Sequence, residues 1–429
     1  MKRIIEIFLK NKKRIWNLLF YFIGIFALRG ASLILTPLYT RVFSTAEYGT
    51  IELANSVVSF LSSILGLGLC QYIGIEYFHY KDRERTIAIE KNIKMFFCIV
   101  TPIVLLMLIL NGIGILSING LDKTLIVFVV LTSYFSYFTN LCLMLCKNQQ
   151  KTNLMTLLQL ITGVITLVLN IIGVCVLGLG IYSTLITTTV INFVFLVMTP
   201  RVYKFEDNLT DVSIKYNEVK KVLSISIPLA VTGVVNSILL LGDRWVLNYF
   251  FSTSEIGIYS LATKFASIFE MILVNTLTIF YSPYVYKSYQ ELGIENAEKN
   301  NRRNFKLYLL IGFVAVIAYA VLVKLVFPIL IDSKYAEAQQ YLLLILVGEV
   351  FLGATYFKTY LVNYKKRTKL VLLLNIVTMS FNLITNFILI PRFKIWAAAG
   401  TTAGAYVLMF LLAMWFNNRI FKEKVNTDL

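Results

Sequence analysis

Continuous apolar runs of twenty or more residues recur along the whole chain and restrict its fold more than any other feature. A helix needs roughly 20 apolar residues to cross about 30 Å of hydrocarbon. Runs of this kind occupy residues 16–38, 50–71, 95–117, 124–146, 154–176, 179–199, 222–249, 256–280, 307–331, 341–363, 370–390 and 396–416. Composition agrees with twelve spans: of 429 residues, 58% are hydrophobic and 15% charged, and mean hydropathy is +0.75. A water-soluble protein of this make-up would have no polar surface. A membrane β-barrel is excluded too, because its strands alternate over about ten residues. The fold class is an all-α polytopic membrane protein.

Loop charge sets the orientation, since cytoplasmic loops hold the excess of Lys and Arg. The two tails and the loops sharing their side carry 30 of the 40 basic residues. The opposite side holds five: Arg41, Lys123, Lys334, Arg392 and Lys394. Both termini are therefore expected in the cytoplasm. The net charge of +17 follows from this topology and is not the footprint of a nucleic-acid partner. Residues 1–15 alternate basic and apolar positions, which reads as an interfacial cytoplasmic segment and not as a cleavable signal. The five cysteines contain no CxxC pair and His79 is the sole histidine, so the cysteines are expected to be buried small hydrophobes and no metal site is expected.

The chain is a duplication. Phe43-Ser44-Thr45-Ala46-Glu47-Tyr48-Gly49, followed by Leu53-Ala54, returns as Phe251-Ser252-Thr253-Ser254-Glu255-Ile256-Gly257, followed by Leu261-Ala262, at an offset of 208. Gln159, Thr162, Thr166 and Asn170 return as Asn375, Thr378, Asn382 and Asn386, at an offset of 216. Both stripes lie on one helix face and read as polar glue between helices. The expected organisation is a six-helix lobe over 16–199, a cytoplasmic linker over 200–221, a second six-helix lobe over 222–416 and a tail over 417–429. Each repeat has an even number of spans, so the lobes are expected to be related by a pseudo-two-fold along the membrane normal.

Polar residues inside the spans are the candidates for function. A charge at mid-membrane depth costs on the order of 3 kcal/mol or more unless paired or hydrated. The first two helices of each repeat carry most of them, and the simplest account is one shared cavity. Arg29, near the middle of its span, reads as a contact for an anionic substrate. Lys264 reads equally well as a substrate contact or a structural pair. Asp243 and Arg244, about two turns from the outer end, read as structural or gating. Ser32, Asn55, Ser59, Asn236 and Ser267 complete the polar walls. Glu52, Asp243, Glu270 and Glu349 are the candidates for ion pairing or for carrying a coupling proton or sodium ion. Pro37 and Pro228 are hinge candidates. Lys324 and Lys358 are expected to snorkel from helix ends. No nucleotide loop, metal cluster or activated nucleophile is present, so the chain does not read as an enzyme and no cofactor is expected.

Three stretches carry a resemblance. Leu35-Thr36-Pro37-Leu38-Tyr39-Thr40-Arg41 with Glu47-Tyr48-Gly49 resembles the first-helix signature of the oligosaccharide flippase family. Asp243-Arg244-Trp245-Val246-Leu247, then Glu255-Ile256-Gly257-Ile258-Tyr259 and Ala262, is similar to that family's seventh-to-eighth-helix signature. Asp332-Ser333-Lys334-Tyr335-Ala336-Glu337-Ala338 is similar to its loop before helix ten. The resemblance implies the fold of the multidrug/oligosaccharidyl-lipid/polysaccharide exporter superfamily and flipping of undecaprenyl-diphosphate-linked oligosaccharide across the cytoplasmic membrane. The product would feed O-antigen, lipopolysaccharide or capsule synthesis, with glycosyltransferases and a polymerase as neighbours. It further implies a cationic cavity, to which Arg29, Lys264 and Arg244 correspond. The alternative is a cation-coupled exporter of drugs or metabolites from the same superfamily, which prefers acidic sites. Lipid II flippases resemble the chain less, since they carry two further helices.

Overall fold

The computed structural model of the protein describes residues 30–80, 82–202 and 215–425. Among them the chain is helical almost throughout, apart from turns and one isolated bridge between Ile118 and Leu121. In chain order the helices are α1 (residues 30–42), α2 (Thr45–Leu65), α3 (Leu69–Glu76), α4 (Asp82–Gly112), α5 (Lys123–Asn148), α6 (Thr152–Ile171) and α7 (Tyr182–Val202). They continue with α8 (Tyr216–Phe250), α9 (Thr253–Glu270), α10 (Thr276–Glu291), α11 (Gly293–Leu330), α12 (Ala338–Tyr364) and α13 (Thr368–Val425). Nine helices among the described residues are long and apolar enough to cross a bilayer, and the bent pair α2–α3 makes a tenth. The 58-residue α13 turns at a non-helical Lys394 (φ 49, ψ −129), so it contains both of the last two expected spans. The first expected span is described only from residue 30.

Several boundaries differ from the sequence reading. The run 256–280 is interrupted by a π-helical segment, Met271–Asn275, and α10 carries the helix on to Glu291. Likewise α6 ends in a π-helical turn, Ile172–Val176. The helix α8 begins at Tyr216, inside the expected linker, and residues 203–214 lie outside the described residues. Hydropathy marks where a helix is apolar, whereas the helical backbone continues into polar sequence wherever its hydrogen bonds are satisfied.

The chain forms two compact units. One comprises the described residues up to Phe43 with Ala54–Val234; the other comprises Ser44–Leu53 with Val235–Leu429.

In the first unit α5 packs against α7. Threonine and asparagine side chains tie the pair: Thr132 to Thr189 at 2.6 Å, and Thr139 donating to Asn192 at 2.8 Å. Phe96 of α4 stacks on Tyr137 at a centroid distance of 3.8 Å. The α2–α3 bend of 54° occurs where Leu67 and Gly68 take positive φ, 48° and 67°. Only glycine fits at 68, since a Cβ there would lie 2.0 Å from the Ser226 carbonyl oxygen of α8.

In the second unit α12 packs along α13 and against α9. An aromatic and aliphatic core built on Tyr289, Tyr360, Leu361 and Phe416 fills one end. The duplicated motif is here a duplicated capping box. The Ser44 N–H and hydroxyl both donate to Glu47 Oε2 at 2.8 Å. The Ser252 N–H and hydroxyl donate to Glu255 Oε2 at 3.3 and 2.5 Å. The two helix starts lie against each other, with Thr45 Oγ1 2.7 Å from Ser254 Oγ. A Cβ on Gly49 would come within 1.6 Å of the Thr253 carbonyl oxygen, and one on Gly257 within 2.1 Å of that of Thr45.

The two asparagine and threonine stripes behave differently. On α13 Thr401 donates to Asn386, Asn386 to Asn382 at 3.1 Å, and Asn382 to Thr402 at 3.4 Å, so this stripe joins the two halves of the kinked helix. On α6 Thr166 and Asn170 donate to carbonyls of their own helix, and the buried Gln159 Oε1 and Asn170 Oδ1 have no hydrogen-bond partner among the described residues. Glue is thus the role of Asn382 and Asn386, whereas Thr378 Oγ1 of the same α13 stripe is buried with no hydrogen-bond partner among the described residues. Cys142 and Cys146 are buried as expected, but Cys98 and Cys175 are exposed, on helix faces otherwise rich in exposed aliphatics. Lys358 does not simply reach water: its ammonium lies 4.2 Å from the Phe305 ring centroid.

Candidate functional site

A cavity of about 260 Å3 lies inside the second unit and gathers most of its intramembrane charge. Glu52 of α2, Asp243 and Arg244 of α8, Lys264, Ser267 and Glu270 of α9, and Glu349 of α12 all line it. Helix geometry explains the grouping. Ser260, Thr263, Lys264 and Ser267 recur at the three- and four-residue spacing that keeps one face polar.

Arg244 is fully engaged. Its Nε donates to Ser260 Oγ at 2.9 Å and its Nη2 to Thr263 Oγ1 at 3.0 Å. Nη1 lies 3.7 Å from Asp243 Oδ1. Asp243 accepts in turn from the Arg244 N–H at 2.9 Å, from Thr402 at 3.4 Å and from the Tyr259 hydroxyl. Both side chains are buried. A charged pair at this depth is stable only when its remaining donors and acceptors are satisfied, and here most are.

Lys264 is held more loosely. Its ammonium donates to Tyr48 OH at 3.2 Å and reaches Glu52 Oε1 at 3.5 Å, with side-chain exposures of 17% for Lys264 and 16% for Glu52. Both contacts are long for a charge-assisted hydrogen bond, about 2.8 Å. Tyr48 also meets Tyr335 edge-on at 5.8 Å, and Tyr335 OH donates to the Ser44 carbonyl at 3.0 Å. Glu47-Tyr48-Gly49 and the other two stretches that carry the family resemblance thus meet in this unit, while Leu35–Arg41 belongs to the first. Glu270 and Glu349 complete the cavity, and the buried Glu349 Oε2 has no hydrogen-bond partner among the described residues.

Of the three cations that the resemblance implies, Lys264 and Arg244 line this cavity. Two cations, Arg244 and Lys264, face four carboxylates, Glu52, Asp243, Glu270 and Glu349. Among the described residues no three His, Cys, Asp or Glu side chains stand close enough to share a metal ion. Other expected site residues fall elsewhere. Arg29 lies outside the described residues. Ser32, Asn55 and Ser59 belong to the first unit, where Asn55 is exposed and the Ser32 and Ser59 carbonyls accept from Thr36 and Ser63. Asn236 is in the second unit but exposed and away from the cavity. The sequence reading missed Tyr48, Tyr259, Thr402 and Tyr406. Tyr48 and Tyr259 stand inside the quoted motifs; nothing local marks Thr402 or Tyr406, which the fold of α13 brings in from far along the chain.

A family model described as polysaccharide biosynthesis protein matches residues 15–288, and a second, MatE, matches residues 228–388. The first covers more than half of the chain, which therefore belongs to the polysaccharide biosynthesis protein family. Capsular polysaccharide biosynthesis protein CapF of Staphylococcus aureus is 26% identical over 210 residues, 47% of this chain and 51% of that protein. An uncharacterized membrane protein of Methanocaldococcus jannaschii is 28% identical over 139 residues, 32% of this chain and 26% of that protein. The matched stretches span about half and a quarter of those relatives. Among solved structures, lipid II flippase MurJ in an inward closed conformation matches with TM-score 0.74 at 15% identity, covering 93% of this chain and 87% of that one. An inward-facing MATE family multidrug transporter of the MOP superfamily matches with TM-score 0.69 at 12% identity, covering 95% and 99%. At these identities the likeness shows the fold: a multi-pass helical membrane protein with the architecture of MOP-superfamily transporters and flippases.

Proposed function

We propose that the protein is a flippase that moves undecaprenyl-diphosphate-linked oligosaccharide repeat units from the inner to the outer leaflet of the cytoplasmic membrane by alternating access. The units would serve O-antigen or capsule synthesis, made by glycosyltransferases on one side and consumed by a polymerase on the other. Both termini face the cytoplasm in this reading. Family membership supports it, and the observation that carries it at the site is Lys264. Arg244 is spent on Asp243, Ser260 and Thr263, whereas the Lys264 contacts are long enough to yield to a phosphate oxygen. Lys264→Ala is expected to abolish surface polysaccharide while leaving the protein at normal abundance in the membrane. Normal polysaccharide in that variant would remove Lys264 from the mechanism.

The four carboxylates and the MatE match over residues 228–388 favour a coupling cation, proton or sodium, as part of the same cycle. Glu349, with its unpartnered oxygen, is the residue we assign to it, with Glu270 beside it in the cavity. In reconstituted vesicles Glu349→Gln is expected to make flipping indifferent to an imposed proton or sodium gradient. The same carboxylates keep open an exporter of cationic drugs. A deletion strain that becomes drug-sensitive with intact surface polysaccharide would select that reading instead.

A further inference from the structure

A second cavity, of about 280 Å3, lies in the first unit at the α2–α3 bend. It approaches the size at which small-ligand pockets begin, about 300 Å3. Its chemistry is unlike that of the charged cavity: among the described residues no Lys, Arg, Asp, Glu or His lines it. Its walls are Ser62, Ser63 and Gly66 of α2, Gln71 of α3, Asn140 of α5 and Gly233 of α8, among others. The bend is fixed by Gly68, which has no room for a side chain against Ser226.

The amides define what fits. Gln71 and Asn140 are exposed at the cavity, and neither side chain makes a hydrogen bond among the described residues. Gln71 closes the expected span 50–71 and Asn140 lies within 124–146, so a ligand that displaces water from these amides must replace its hydrogen bonds. Each offers two N–H donors and two acceptor lone pairs. The serines add to this. Ser62 Oγ accepts from Ser136 at 2.9 Å and keeps its own hydrogen, and Ser63 donates to the Ser59 carbonyl at 3.0 Å. Among the described residues an anion would meet no cation here and a cation no carboxylate, and an alkyl chain would leave two amides unsatisfied. Vicinal hydroxyls, each both donor and acceptor, match the set.

We propose that this cavity is a saccharide subsite that takes one uncharged sugar ring, held by Gln71 and Asn140. That the sugar belongs to the transported glycan rests on the function proposed above; the binding itself does not. Saturation-transfer NMR on the full chain in phosphatidylglycerol nanodiscs tests it with lipid-free maltotriose, chitotriose and rhamnotriose as probes. At least one is expected to receive saturation, with binding weakened about fivefold or more by Gln71→Leu with Asn140→Leu. Asn140→Asp, nearly isosteric, replaces that pair if it does not fold and is expected to weaken binding likewise. Lys264→Ala serves as the separating arm: it is expected to keep the saturation transfer while losing surface polysaccharide. No transfer from any of the three, transfer unchanged in the variants, or equal transfer to a uronic-acid trisaccharide would overturn the subsite, whatever the fate of the flippase reading.

Discussion

Arg244 and Lys264 line one cavity, yet their surroundings assign them different work. Removing Arg244 strands Asp243, a carboxylate only 2% exposed, and breaking a buried pair in this way costs about 3–5 kcal/mol. Arg244→Ala is therefore expected to lower the unfolding temperature in detergent and the amount of protein in the membrane. Arg244→Lys recovers only part of that, because an ammonium cannot reproduce the guanidinium fork toward Ser260 and Thr263. Lys264→Ala breaks a pair that is longer and partly hydrated, so its cost in stability is expected to be about 1 kcal/mol or less. Fluorescence-detected thermal unfolding of the three variants separates the roles: a larger loss from Lys264→Ala than from Arg244→Ala would reverse them.

At the scale of the helix, glycine decides how closely elements approach. A methyl group at Gly49 would meet a backbone carbonyl at 1.6 Å, and one at Gly257 at 2.1 Å, with no flexible side chain to give way. Gly49→Ala and Gly257→Ala are each expected to cost about 1–3 kcal/mol or more through forced separation of α2 and α9. Gly112, at the end of α4, has nothing within 4 Å of the same position, and Gly112→Ala is expected to be neutral in the same unfolding measurement. The repeat itself was visible in the sequence, and so was the Ser44–Glu47 spacing. Their mutual contact was not, since a motif fixes a helix start but says nothing of what that start lies against. The same limit applies to the cavity. Lys264, Arg244, Glu270 and Glu349 were legible as charges too deep to be solvated, whereas Thr402 and Tyr406 enter through the turn at Lys394, which lies inside what reads as a short loop.

For the whole molecule the strongest inference is topological, because 30 of 40 basic residues fall on one side of the expected spans. Alkaline phosphatase fused at residue 119, between the expected third and fourth spans, is expected to be active, and the same reporter at the C-terminus inactive. The reverse pattern would overturn the orientation. Hydropathy placed most of the helices, because lipid tolerates few alternatives to an unbroken apolar helix. It did not place the π-helical turns at Ile172–Val176 and Met271–Asn275, which change hydrogen bonding without changing composition.

The paired glycines have a consequence for how this chain can vary. Gly49 faces the first turn of the other copy, and Gly257 faces the first turn of its own counterpart, so the contact is self-complementary in the manner of a two-fold homodimer interface. Two stretches that arose as copies are here each other's binding partner. Neither is free to diverge alone: a bulkier residue at one position demands a retreat of the other's backbone. The stretches where the duplication is readable, Ser44–Gly49 and Ser252–Gly257, are thus the ones whose side chains the contact constrains together.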